Sequence, residues 1–232
     1  MNWILLFFYI KLYFVSNEIL KRIEILSEFI TQRRRERIDE VLSNRTNYLT
    51  LVLEDIFQPQ NASATMRTIE ILGLSNIHII ETNNTYTLNP GVVLGASKWI
   101  DIIKYQCVES AFDNLKGNGY KIVATSLDNE AIFLDDFPID DKMAIFFGTE
   151  LTGLSNTVLE NADLHLKIPM YGFTQSYNLS VAVSIVFYSL ISRLRKSSIK
   201  YLLNEDEKLV LKLDYYRKIV KKYQTIEKLK LF

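Results

Sequence analysis

The stretch that decides the fold is residues 49–81, LTLVLEDIFQPQNASATMRTIEILGLSNIHIIE. Its first five residues, Leu49 to Leu53, form an apolar run that predicts a buried strand leading into a Pro-containing loop. Gln58 to Gly73 predicts a helix, with Asn61 as a candidate N-cap and Gly73 at the C-cap position. Asn76 to Glu81 predicts a second strand. Strand, helix and strand in this order indicate a parallel α/β sheet.

The same alternation continues along the chain, with long helices predicted at both ends. Glu18 to Leu42 is predicted as one helix because it contains no Gly or Pro. The remaining predicted helices are Gln106 to Lys116, Ser176 to Leu194 and Glu205 to Lys222, and the remaining strands are Tyr120 to Thr125, Met143 to Phe147 and Leu164 to Ile168. We expect three segments: a hydrophobic extension and basic helix at 1–45, an α/β domain at 46–195, and a basic helical extension at 196–232.

The amino-acid composition is typical of a folded protein, but the charged residues are unevenly distributed along the chain. Hydrophobic residues make up 48%, charged residues 23%, and the net charge is zero. Four of the five residues from Arg33 to Arg37 are arginine, and 207–230 holds eight basic residues against three acidic ones. Residues 128–141 hold six acids and no Lys or Arg. This pattern is typical of a polarised RNA-binding surface, with solvated helix faces as the alternative interpretation.

Cysteine and histidine are too few for most metal or disulfide chemistry. The single Cys107 excludes an intrachain disulfide and a multi-Cys metal site, so we expect no metal and a reducing compartment such as the cytoplasm. His78 and His165 lie in apolar runs and are interpreted as strand residues. The apolar stretch Trp3 to Val15 is too short to span a bilayer. It is an unassigned extension: a dimer or membrane-surface segment, or upstream sequence included by a misplaced start.

Three loops that follow predicted strands are the candidate sites, because ligands of open parallel sheets bind beyond the carboxyl ends of the strands. They are Asn61 to Arg67, Phe147 to Ser155, and Ile168 to Ser180. Each alone has a structural explanation, as a glycine turn or a helix cap. Arg67 within an apolar helix needs an anionic partner, which is either a local carboxylate or a substrate phosphate.

The absence of several common motifs reduces the number of reaction classes that the sequence can support. The sequence has no Gly-x4-Gly-Lys-Ser/Thr and no Gly-x-Gly-x-x-Gly, and no obvious loop supplies a histidine to a Ser or Cys nucleophile. Methyl transfer from a sulfonium donor fits these absences, because it needs mainly alignment, a desolvated pocket and an outlet for a proton.

The three loops in this order resemble the SpoU branch of the SPOUT RNA 2'-O-ribose methyltransferases. The matching motifs are Asn61-Ala-Ser-Ala-Thr-Met-Arg67, Phe147-Gly-Thr-Glu-Leu-Thr-Gly-Leu154, and Ile168-Pro-Met with Ser176-Tyr-Asn-Leu-Ser-Val-Ala182. The resemblance runs from about residue 33 to residue 195, and its arginine-rich entry helix is similar to that of the TrmH-type tRNA-modifying members.

This resemblance implies a Rossmann-like, mostly parallel sheet with a C-terminal deep trefoil knot, flanked by helices, in a homodimer. It implies S-adenosylmethionine as the methyl donor, held largely by backbone groups of the second and third loops. By position, the donor site consists of Thr125, Gly148, Gly153, Ile168, Met170 and Tyr177. Glycines in such loops allow the backbone to approach a ligand closely.

The resemblance also implies an acceptor, the 2'-hydroxyl of guanosine 18 in the D-loop of tRNA. Arg67 corresponds to the arginine that activates this hydroxyl, and the other catalytic positions are Asn61, Glu150, Ser176 and Asn178. Because an arginine side chain stays protonated in proteins, two roles are open for Arg67: a literal general base, or a clamp on the phosphate and ribose.

The basic residues of the two ends are the candidate phosphate contacts. They are Arg33, Arg34, Arg35, Arg37, Arg193 and Arg195. Two alternatives are a 23S rRNA ribose methyltransferase and a non-catalytic RNA-binding protein of the same fold. Gln60 stands where several tRNA-acting relatives carry His. The resemblance therefore indicates the family more specifically than it indicates the exact RNA target.

Overall fold

The computed structural model describes residues 17–128 and 130–230, which form two compact units. The sheet unit is Thr46–Tyr201, and the described part of the helical unit combines residues 17–45 with residues 202–230. The apolar stretch Trp3 to Val15 lies outside the described residues. The three-segment division at residues 45 and 195 stays a prediction.

The sheet unit is built on seven strands that all pair in parallel. Their order across the sheet is β3-β2-β1-β6-β4-β7-β5. The bounds are β1 Leu49–Glu54, β2 Asn76–Ile80, β3 Asp101–Tyr105, β4 Lys121–Thr125, β5 Ile132–Phe133, β6 Met143–Phe147 and β7 Leu164–Lys167. The predicted parallel α/β class is confirmed. The trefoil knot stays a prediction.

Helices cover both faces of this sheet, so its central strands β1 and β6 are buried along their whole length. The helices are α3 Pro59–Leu72, α4 Pro90–Val93, α5 Val108–Gly117, α6 Asn156–Asn161 and α7 Leu179–Lys196. Leu51 and Leu53 of β1 face the core formed with α3 and α7, and Val52 faces the second core, formed with α5 and α6. Two 3-10 turns lie at Ala96–Lys98 and Leu134–Asp136.

The ends of α3 and α7 are fixed by local chemistry. Pro59 occupies the first turn of α3, where a missing N–H costs nothing, and Gly73 ends the helix with φ of 91°. The N-cap of α3 is Gln58, so the expectation that Asn61 caps this helix is wrong; Asn61 lies inside its first turn. Similarly, α7 begins after Asn178, which accepts a hydrogen bond from Ser180 N, whereas Ser176 lies before the cap.

Among its described residues, the helical unit contains four helices: α1 at residues 17–27, α2 Gln32–Leu42, α8 Glu205–Ile219 and α9 Tyr223–Lys230. The prediction of one helix from Glu18 to Leu42 is wrong. Tight turns break it, with Phe29 N bonded to Leu26 O at 3.1 Å and Ile30 N bonded to Ser27 O at 3.2 Å. The turn leaves Ile30 buried and Phe29 exposed.

Within the described part of the chain, no helix combines the length and hydrophobicity that a bilayer crossing requires.

Candidate functional site

Asn61 joins the three predicted loops through hydrogen bonds. Its Nδ2 donates to Gln58 Oε1 at 3.1 Å and to Glu150 Oε1 at 2.7 Å, and its Oδ1 accepts from Asn178 Nδ2 at 3.1 Å. The side chain is buried, with 7% of the residue exposed. Both N–H donors and the carbonyl oxygen of its amide therefore have a partner from one of the three motifs or from the turn before α3.

The orientation of these amides follows from their partners. A carboxylate only accepts, so the Asn61 nitrogen must face Glu150, which leaves its oxygen facing the nitrogen of Asn178. The oxygen of Asn178 then faces the start of α7, where it accepts from Ser180 N at 2.9 Å and Ser180 Oγ at 2.7 Å. Asn178 thus caps α7 and connects it to α3.

Arg67 lies further along α3 with its guanidinium exposed. Its Nη1 donates to the Val92 carbonyl at 3.3 Å. No carboxylate among the described residues pairs with it, so the local ion-pair interpretation of Arg67 is wrong, and the guanidinium keeps most of its five N–H donors for an external partner.

A cavity of about 500 Å³ opens beside this network. All six positions expected to hold the methyl donor line it: Thr125, Gly148, Gly153, Ile168, Met170 and Tyr177. Glu150 and Ser176 also lie in its wall, so Asn61 and Asn178 connect to the cavity through Glu150. No three His, Cys, Asp or Glu side chains in residues 17–128 and 130–230 cluster as metal ligands would.

The loop at 147–155 is held tightly closed on itself. Thr149 and Gly153 exchange two backbone hydrogen bonds of 3.0 Å. A Cβ on Gly148 would lie 2.1 Å from the carbonyl carbon and oxygen of Gly153, and Gly153 itself has φ of 71°. Gly148 is therefore required by contact within the loop. It also lines the cavity, and its role in close approach to a ligand stays a prediction.

Two groups of contacts were missed from the sequence. Glu54, the last residue of β1, is buried and accepts from Ser155 N at 2.9 Å, so it anchors the 147–155 loop. After β4, the cavity is lined by Ser126, Leu127 and Asp128. The signal available for Glu54 was an acid directly after the apolar residues 51–53 of β1. The signal for the other three residues was their position after a parallel strand.

The candidate phosphate contacts differ in environment. In the helical unit Arg33, Arg34 and Arg37 are exposed, and Arg37 pairs with Glu40 at 2.7 Å. Arg35 is partly buried.

In the sheet unit Arg195 is exposed. Arg193 donates to the carbonyls of Leu134 at 3.0 Å and Phe137 at 2.6 Å, so it holds this segment of the chain.

Comparison with known proteins identifies the family. Residues 48–188 match the model of the SpoU rRNA Methylase family. A tRNA (guanosine(18)-2'-O)-methyltransferase of Borreliella burgdorferi is 64% identical over 215 residues, which cover 93% of this chain and 99% of that protein. The enzyme of the same name from Thermus thermophilus is 35% identical over 68% of this chain and 81% of its own length.

A solved structure, the A. aeolicus TrmH/SpoU tRNA modifying enzyme, superposes with a TM-score of 0.73 at 30% identity, covering 82% of this chain and 98% of that one. The match therefore extends from the sequence motifs to the arrangement of the strands. This chain belongs to the SpoU methylase family.

Proposed function

We propose that this chain transfers a methyl group from S-adenosylmethionine to the 2'-hydroxyl of guanosine 18 in tRNA. The observation that carries the proposal is the bonding of Asn61 to both Glu150 and Asn178, which brings the Arg67 helix to the wall of the cavity. The choice of target is supported by the relatives, because a protein 64% identical over nearly its whole length is named for this reaction.

The cavity suits the methyl donor. Its volume of about 500 Å³ lies within the range of roughly 300 to 1,000 Å³ that small-molecule sites occupy. Leu127, Leu166 and Ile168 give it apolar surface for a nucleobase, and Thr125 and Gln175 add polar groups. When bound, S-adenosylmethionine supplies a methyl group on a positively charged sulfur.

Arg67 positions the acceptor. Its exposed guanidinium presents a planar fork of donors that matches two phosphate oxygens, and its bond to Val92 O fixes one edge of that fork. Arg67 thereby binds the nucleotide's phosphate and orients the ribose towards the cavity, and the hydroxyl proton leaves through the phosphate or a water. Direct proton abstraction by Arg67 is the second role, and it requires the guanidinium to give up a proton that it normally keeps.

The neighbouring side chains keep this arrangement rigid. Glu150 holds Asn61 from the cavity side, and Asn178 holds it from α7. Ser176 lies in the cavity wall next to these groups, where its hydroxyl shapes the acceptor's entry. The exposed Arg33, Arg34 and Arg195 supply contacts to the phosphate backbone of tRNA.

We further propose a homodimer that uses α7. This helix buries Val183, Val186 and Phe187 in the core but exposes Val181 and Tyr188 on its other side, at 44% and 67%. A second copy would cover this apolar stripe. Light scattering should give the mass of a dimer for the wild type and of a monomer for Tyr188→Lys. Val210→Lys, at an exposed position of α8, serves as the control and should stay dimeric, and a dimeric Tyr188→Lys protein would contradict this interface.

The reaction is tested with labelled S-adenosylmethionine and two versions of one tRNA. In the first, guanosine 18 carries its 2'-hydroxyl; in the second, the same nucleotide is 2'-deoxy. We expect label in the first RNA only, and nucleoside mapping should place it on guanosine 18. Ribosomal RNA is assayed in parallel. Label on ribosomal RNA alone would favour the rRNA alternative, and no transfer to tRNA or ribosomal RNA would favour a non-catalytic RNA-binding protein.

A further inference from the structure

Two consecutive acids, Glu54 and Asp55, are buried where the central strand β1 ends. They point to different partners. Glu54 anchors the 147–155 loop through Ser155 N, as described above. Asp55 belongs to none of the three sequence motifs, yet only 8% of it is exposed.

Asp55 accepts three hydrogen bonds from the residues just after β2. Its Oδ1 accepts from Asn83 N at 2.7 Å and from Asn84 N at 3.1 Å, and its Oδ2 accepts from Asn83 Nδ2 at 2.9 Å. The Asn84 side chain returns a bond to the Asp55 carbonyl at 3.0 Å. Burial alone would raise the pKa of Asp55, but the amide donors of Asn83 and Asn84 outweigh it and lower the pKa, so the group is a carboxylate.

The backbone of Asp55 is also unusual. Its φ is 53°, in the left-handed region that side chains other than glycine rarely adopt. Its own N–H donates to Ile80 O at 3.0 Å, so the residue is fixed on both sides. This geometry directs the carboxylate at residues 83–84 while β1 continues towards α3.

The segment held by Asp55, residues 82–95, passes along the first half of α3. Tyr86 OH donates to Ala62 O at 3.4 Å, and Asn89 N donates to Ser63 Oγ at 2.7 Å.

Asn89 then caps α4 through Gly91 N at 2.9 Å. The carbonyl of Val92 in α4 is the group that receives Arg67 Nη1. A continuous set of contacts therefore runs from Asp55 through the 82–95 segment to the guanidinium of Arg67.

We propose that Asp55 is a positioning residue for Arg67: it fixes residues 83 and 84, and through them the Val92 carbonyl that holds the guanidinium against the acceptor. This inference rests on the proposed function, because it assigns Arg67 to the acceptor side of methyl transfer. Asp55 does not line the cavity, so its loss should affect turnover with little effect on donor binding.

Two substitutions of Asp55 separate the effect of its backbone conformation from the effect of its carboxylate. Asp55→Gly tolerates the positive φ and removes all three acceptor contacts. Asp55→Asn also tolerates this φ and keeps Oδ1 for the two backbone amides, losing only the bond from Asn83 Nδ2. We expect Asp55→Gly to lower kcat by about 10- to 100-fold, the size of effect that follows from misplacing a group near the reaction. Asp55→Asn should keep most of the wild-type kcat. In both variants the KM for S-adenosylmethionine should stay within about twofold of the wild-type value.

A double-mutant cycle with Arg67→Lys tests whether the effect passes through Arg67. If it does, Asp55→Gly should slow the Arg67→Lys enzyme much less than it slows the wild type. Amide hydrogen exchange over residues 83–95 should accelerate in Asp55→Gly. Val108→Ala, a core truncation in α5, is the stability control, and should lower the melting temperature without the loss of kcat.

Three results would overturn the inference and leave the proposed function intact. They are losses of kcat that are full and independent in the double-mutant cycle, an unchanged kcat in Asp55→Gly, or an equal loss of kcat in Val108→Ala. A wild-type chain that methylates no tRNA would overturn the proposed function, and the positioning role with it.

Discussion

At the residue scale, Asn61 shows how one small side chain can organise a site. An asparagine offers two N–H donors and one carbonyl, and here all are used by groups that come from the turn before α3 and from two distant loops. An aspartate at this position would face Glu150 with a second negative charge, and an alanine would leave Glu150 and Asn178 without their shared partner.

Arg67→Lys should lower kcat by about 100-fold or more, which is the usual cost of removing one charge-stabilising donor. A lysine presents a point charge and cannot both reach the Val92 carbonyl and grip a phosphate with two parallel bonds. Single-turnover kinetics measure the loss, with the affinity for S-adenosylmethionine as the quantity that should not change. Ile71→Ala, one turn further on the exposed side of α3, is the control; normal turnover in Arg67→Lys would refute the role of Arg67.

His78 makes the stability of the sheet unit depend on pH. Tyr105 OH donates to Asn114 Oδ1 at 2.9 Å, so His78 Nδ1 must be the donor in its 2.8 Å bond to Tyr105. Burial, together with the charge of Lys142, lowers the pKa of His78 from 6.5 to about 4. The neutral ring is therefore the folded form at neutral pH.

The direction of the pH effect follows from this shift. Between pH 6.5 and 4 the unfolded chain binds a proton at His78 that the folded chain does not, so the free energy of unfolding falls as the pH falls. The loss should approach about 3 kcal/mol by pH 4. Urea unfolding across this range measures it. His78→Phe cannot titrate, so its curve should be flatter there; an equally steep curve would assign the effect to other groups.

At the scale of elements, the 147–155 loop illustrates why a glycine can be required without any ligand. Its two ends meet so closely that the backbone of Gly153 fills the place of a side chain at Gly148. The loop forms one wall of the cavity, so its closure and the donor site depend on the same contact.

Gly148→Ala should therefore abolish donor binding measured by calorimetry. Gly172→Ala is a matched control in the loop after β7, where an added Cβ meets nothing within 4 Å and the backbone is not in the left-handed region. It should bind the donor as the wild type does. Donor binding by Gly148→Ala at wild-type affinity would mean that the loop can close in another way.

Element boundaries show where local sequence suffices. Gly73 was predicted as a helix end and is one, because its positive φ is a local property of glycine. The break at 28–31 was not predicted, because no residue there forbids a helix. It exists because the chain turns to bury Ile30, and burial depends on what the rest of the unit provides.

At the scale of the whole molecule, the two units are stabilised differently. The sheet unit has two apolar cores. The helical unit also buries apolar side chains, but it buries a carboxylate among them. Glu227, 5% exposed, pairs with Arg22 Nη1 at 2.5 Å and with Arg217 Nε and Nη2 at 2.8 Å. The bonds from Arg217 lower the pKa of Glu227 despite the opposing effect of burial, and those from Arg22 add to the lowering.

Glu227→Gln should destabilise the helical unit by about 3 kcal/mol or more, because two arginines lose the charge that compensates them. In the wild type this contribution is present above the ordinary glutamate pKa of 4.5 and disappears as the pH falls through the lowered folded value. Denaturant unfolding of both proteins at neutral and acid pH measures it. Glu205→Gln, an exposed partner of Lys208, is the control and should have little effect.

The sequence by itself determined the parallel α/β class, most strand positions and the three loops, because apolar runs, glycine turns and motif spacing are properties of neighbouring residues. Only the tertiary structure decided which side chains meet. Asn61 lies 89 residues from Glu150 and 117 from Asn178, and strand order, which no local pattern encodes, brings them together. The same holds for Arg67, whose partner is a carbonyl in α4. It also holds for Asp55, which belongs to no sequence motif, because its role depends on its burial against the segment that follows β2.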